Sequence, residues 1–188
     1  HIGENRIQEA DAKMSALRDY IQRKNIPCKF HMVGHLQTNK AAKALAMFDM
    51  IQSVDSLKLY KKIHDLSRYQ RRSSEVLLEV NTSKEASKFG INPDELIPFL
   101  KKVREFDSVK VRGLMTMAAF DKNKESARSC FRMLREIRDR INALKEKEEL
   151  PHVTMDFLSM GMSSDFEVAV QEGANMVRIG SAIFEGAQ

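Results

Sequence analysis

Short apolar runs alternate with helical stretches along the whole chain, and that alternation restricts the fold more than any other feature. The runs span residues 29–34, 50–55, 75–81, 109–117, 153–160 and 175–180, and residues 1–5 read as the tail of a further strand. The stretches between them carry helix signals. Asn92-Pro93-Asp94-Glu95 predicts an N-cap, a first-turn proline and a capping-box glutamate. Leu96, Ile97, Leu100 and Val103 then mark one face. Ala127, Cys130, Phe131, Leu134, Ile137, Ile141 and Leu144 follow helical spacing closely. Ser164 with Glu167 predicts a second capping box, and Gly173 a C-terminal stop.

Strand–helix alternation implies parallel strands joined by right-handed crossovers. Open doubly wound sheets and closed barrels both fit seven such strands. The regular spacing of the helices favours a barrel. So do the polar residues at the strand ends (Asn5, Asp55, Asn81, Ser159), because βα loops build the working face of a barrel. The expected fold is α/β, a (β/α)8 TIM-type barrel in one domain over 1–188. A complete barrel of this kind typically needs about 250 residues, against 188 here.

The formal net charge of +5 comes from 31 basic and 26 acidic residues. Their signs are interspersed, so the charge argues for a solvated surface and against a nucleic-acid partner. No apolar run approaches the roughly 20 residues of a membrane span. Cys28 and Cys130 lie in no C-x-x-C frame, and Cys130 falls on a helix's apolar stripe. A reducing, cytoplasmic compartment is expected.

The last two strands carry the chemistry. Ser159-Met160-Gly161-Met162-Ser163-Ser164-Asp165 follows one, and Arg178-Ile179-Gly180-Ser181 ends the next. Barrels often bind phosphate at this place, on backbone N–H groups. Gly161 and Gly180 allow close backbone approach, Ser163 and Ser181 add hydroxyls, and Arg178 adds a cation. Asn5 is equally well read as a turn residue or as a pocket amide. His31 and His35 form an H-x3-H pair on a strand entering a loop, with no third ligand, so no metal site is expected. His64 and His152 read as surface or helix residues.

Taken together, Gly3-Glu4-Asn5-Arg6-Ile7-Gln8-Glu9, His31-Met32-Val33-Gly34-His35-Leu36-Gln37-Thr38-Asn39-Lys40, Gln52-Ser53-Val54-Asp55, Leu158-Ser159-Met160-Gly161-Met162-Ser163-Ser164-Asp165 and Val177-Arg178-Ile179-Gly180-Ser181-Ala182-Ile183-Phe184 make the chain resemble the pyridoxal-phosphate homeostasis proteins. These share the fold of the alanine racemase N-terminal domain. The resemblance implies pyridoxal 5′-phosphate as cofactor, with its phosphate on Ser163, Gly180 and Ser181. It places Arg178 opposite the pyridine nitrogen, and Asn5 and Asn81 in the pocket wall. It implies a protein that holds the cofactor and passes it to apo-enzymes with little or no turnover. The alternative is an amino-acid racemase-like enzyme. Relatives carry the cofactor-binding lysine on a strand before the Gly-Glu-Asn motif. That lysine is therefore expected upstream of residue 1, with the barrel's first strand and flanking helices. Neither Lys40 nor Lys88 occupies its place.

Overall fold

The computed structural model describes residues 1–83, 85, 88–118 and 124–184. Its strands are β1 (Ile2–Glu4), β2 (Phe30–Met32), β3 (Met50–Val54), β4 (Ser74–Glu79), β5 (Val109–Met115), β6 (Val153–Met162) and β7 (Met176–Arg178). The helices are α1 (Ile7–Arg23), α2 (Ala41–Met47), α3 (Leu57–Tyr69), α4 (Leu96–Val103), α5 (Lys124–Leu144), α6 (Phe166–Gln171) and α7 (Ser181–Phe184).

The strands form one sheet in chain order, and every neighbouring pair is parallel. This order decides between the two candidate architectures, because a doubly wound sheet reverses direction partway across. Two side-chain contacts show how far the sheet curls. Ser159 Oγ on β6 donates to Gln52 Oε1 on β3 at 2.6 Å. The Gln52 amide also lies 3.1 Å from Met176 Sδ on β7. In a flat sheet three strand spacings would separate β3 from β6 by about 14 Å. The sheet is therefore a nearly closed barrel, with all strand C-termini at one mouth.

Strands β2, β3 and β4 and the C-terminal halves of β5 and β6 are buried on both faces, which explains their near-continuous apolar runs, while β1 and β7 are only partly buried. Outward residues such as Ile51, Val76, Leu78, Leu114 and Leu158 pack with Tyr60, Leu100, Phe131 and Leu134 of the helices. Inward residues Met50, Leu77 and Met115, with Met117 and Phe157, form a separate plug inside the barrel.

The local signals hold with two corrections. Asn92 caps through its side chain, accepting from Asp94 N–H at 3.0 Å, but it opens a single 3-10 turn before α4. The cap of α6 sits one residue later than predicted. Asp165, not Ser164, precedes that helix, and its carboxylate accepts from Met162 N–H at 2.6 Å. That donor lies upstream of the helix, and the Asp165 side chain makes no cap bond to the helix's own first N–H groups. His64 lies on a helix as expected, yet it is buried, stacked on Phe106 at 4.8 Å. Gly173, at φ +93°, closes α6 in the left-handed conformation a C-terminal stop needs.

Candidate functional site

A polar belt lies above the apolar plug and runs across the barrel from strand to strand. Arg178 donates to Ser159 Oγ at 2.9 Å and to the Thr116 carbonyl at 2.8 Å. Guanidinium can only donate, so it fixes the direction of the rest. The Ser159 hydroxyl must pass its own proton to Gln52 Oε1. The Gln52 amide then donates to His31 Nδ1 at 2.8 Å. His31 is left protonated on Nε2, 2.8 Å from His1 Nδ1. This requires a neutral His31, and burial pulls its pKa down to about 4.

Arg178 remains charged at neutral pH. Burial lowers its pKa to about 10, while Glu79 and Asp165 work to raise it. Glu79, the last residue of β4, is 2% exposed. Burial and then Asp55 push its carboxyl up to about 7, against the pull of Arg178. Asp55 at the end of β3 is paired with His35 at 3.2 Å, and the His35 ring stacks on Phe89 at 3.7 Å.

These two buried groups have opposite effects on stability as pH changes. Glu79 is raised in the fold, so it contributes stability that is complete below about pH 4.5 and declines as pH rises to about 7. His31 is depressed, so its contribution is complete above pH 6.5 and is lost towards pH 4. Glu79→Gln removes the first trend and keeps the second. Its stability relative to wild type is expected to rise by about 1 kcal/mol per pH unit between pH 4.5 and 6.5. Urea unfolding of both proteins across that window checks this, and parallel profiles would refute it.

The predicted phosphate residues come together at the mouth. Ser163 Oγ accepts from the backbone N–H groups of Gly180 and Ala182, both at 3.3 Å. A Cβ built on Gly180 would meet nothing within 4 Å, so this backbone faces open space. Ser181 is exposed at the start of α7. Gly161 lets β6 turn into this loop. It has φ +90°, and a Cβ there would lie 2.5 Å from Ala169 Cβ and 3.0 Å from Phe166 Cα. Any side chain would drive α6 away from the strand.

Asn5 and Asn81 stand apart from that cluster. Asn5 is exposed at the end of β1. The Asn81 amide donates to the carbonyls of Glu85 and Lys88, and its oxygen accepts from Ser83. Its polar groups thus shape the loop after β4. The sequence reading missed the Ala182 N–H, which no side-chain type announces. It also missed Glu79, whose signal was its place two residues after the inward Leu77. Among the described residues no cluster of three metal-ligating side chains occurs, and no helix is long and apolar enough to cross a membrane.

Three comparisons place this geometry among known proteins. The profile of the alanine racemase N-terminal domain matches residues 1–188. The pyridoxal phosphate homeostasis protein of Aquifex aeolicus is 40% identical over 182 residues, 97% of this chain and 75% of the relative. PipY of Synechococcus elongatus, solved with pyridoxal phosphate bound, is 35% identical with a TM-score of 0.82, over 98% of this chain and 81% of its own. A protein of Bifidobacterium adolescentis is 38% identical with a TM-score of 0.88, over 97% of this chain and 74% of its own. The chain belongs to the alanine racemase N-terminal domain family, in the branch of the pyridoxal phosphate homeostasis proteins.

Proposed function

We propose that this protein binds pyridoxal 5′-phosphate and serves its intracellular homeostasis, holding the cofactor for release to apo-enzymes without substantial turnover. The observation that carries the reading is the Ser163–Gly180–Ala182 cradle, open on one side, with the partly buried guanidinium of Arg178 fixed two residues before Gly180. Ser163, Gly180 and Ser181 would hold the phosphate with hydroxyls and backbone N–H groups. Arg178 uses two donors on Ser159 and Thr116, and guanidinium has five. Donors remain for a ring nitrogen, and a fixed cation there keeps that nitrogen unprotonated. Asn5 and Asn81 would shape the rim.

When bound, pyridoxal phosphate supplies an aldehyde that condenses reversibly with amines and a ring that withdraws electrons. Arg178 weakens that withdrawal, and so favours storage over catalysis. The cytoplasm, where apo-enzymes mature, is the compartment this role requires.

The test is a titration of the purified protein with pyridoxal phosphate, followed by ligand absorbance. Saturable binding is expected. Gly180→Ala should weaken it about tenfold, equivalent to about 1.4 kcal/mol, because the new methyl group fills the space left for the phosphate. Its thermal unfolding should match wild type, since that methyl group clashes with nothing. Absence of saturable binding, or amino-acid racemisation at ordinary enzyme rates, would overturn the proposal.

A further inference from the structure

Glu79 has a free oxygen. Its side chain points into the barrel, above Leu77 and beside its register partner Met115. Among the described residues no donor reaches Oε2, although the residue is 2% exposed. Burying a carboxyl oxygen without a partner costs free energy, and such a group calls for a reason beyond packing. Its position supplies one. The charged groups within reach come from every side of the mouth: Asp55 from β3, with His35 paired to it, and Arg178 from β7, itself under the influence of Asp165.

We propose that Glu79 is a ligand-facing residue of this site, and that a phosphorylated ligand seated on Ser163 and Gly180 binds with uptake of a proton by its carboxyl. This rests on the cofactor-binding reading above. A phosphate group brings an added charge of about −1.5 to −2 to the mouth. Like charge disfavours the ionised carboxylate. In the free protein the opposing influences of burial, Asp55 and Arg178 leave the carboxyl near half-ionised at neutral pH, so a modest added field tips it to the acid. Protonated, Oε2 becomes a donor to an oxygen of the ligand as well as an acceptor. The orphaned atom then gains a partner only in the complex.

Calorimetric titration with pyridoxal phosphate at pH 7, in two buffers of different ionisation enthalpy, counts the protons taken up. Wild type should take up about half a proton more than Glu79→Gln. Ionisation of the phosphate itself is common to both proteins and cancels in the difference. Between pH 7.5 and 8.5 wild-type affinity should fall up to about tenfold relative to the variant. Equal proton counts with binding intact would overturn this inference and leave the cofactor reading standing. Failure of wild type to bind would overturn both. A carbon NMR titration of the Glu79 carboxyl in wild type gives an independent reading. Its midpoint should rise by a unit or more on saturation, and an unmoved midpoint would overturn the inference.

Discussion

Gly34→Ala is expected to destabilise the protein by about 3 kcal/mol, the upper end of what overpacking costs, and to lower Tm by about 9 °C. A Cβ at Gly34 would lie 2.1 Å from the Asn5 carbonyl oxygen, 2.8 Å from its carbon and 2.9 Å from Cα. All three are backbone atoms, so no rotamer change relieves the clash. The junction is also tied on both sides. The Glu4 carbonyl accepts from Val33 and Gly34 N–H groups at 2.9 and 3.4 Å, and Ser53 Oγ donates to the Gly34 carbonyl at 2.7 Å. Making room for a methyl group means moving the end of β1 by about 1 Å, which loosens the pairing of β1 with β2 and shifts Asn5 at the rim. Gly3 is the natural control. A Cβ there would meet only Val33 Cγ2, at 3.1 Å, which a small side-chain movement accommodates. Urea unfolding separates the two variants, and a Gly34→Ala loss below about 0.5 kcal/mol would refute the argument.

Local chemistry explains which parts of this molecule could be read in advance. The central strands announced themselves because a parallel strand buried on both faces must be apolar. The proposed phosphate cradle could be suggested from sequence because Gly161, Ser163, Gly180 and Ser181 are small residues at the ends of late strands. The choice of a barrel over an open sheet was only favoured, since both alternate strand and helix, and strand order is a long-range property. The polar belt was invisible for the same reason: Gln52 and Ser159 meet across 107 residues of chain. An asparagine at a strand end suits a pocket, but the Asn81 amide is engaged by backbone four and seven residues on, as short polar side chains in loops often are. Glu79 sits inside the apolar run 75–81, and nothing in its immediate sequence singles it out. Only the two-residue period from Leu77 marks it as inward.

Arg178→Met should destabilise the protein at pH 7 by about 3 kcal/mol, because the change removes one partner from a buried set of charges. Three losses add. Ser159 Oγ loses the donor that orients the chain through Gln52 to His31. The Thr116 carbonyl loses its 2.8 Å donor. Glu79 loses the cation that opposes burial and Asp55. The third loss is self-limiting. A carboxyl already near half-protonated at pH 7 escapes an uncompensated charge by taking up a proton, so its titration midpoint should move well above 7 in the variant. Removing that charge in advance should therefore recover part of the loss. In a double-mutant cycle Arg178→Met and Glu79→Gln should couple by up to about 0.4 kcal/mol at pH 7, where half-ionisation caps the linked effect, and by about 1 kcal/mol at pH 8, with the double variant more stable than the two single effects predict. Additive effects would show that Arg178 supports the fold only through Ser159 and Thr116, and that Glu79 does not sense its charge.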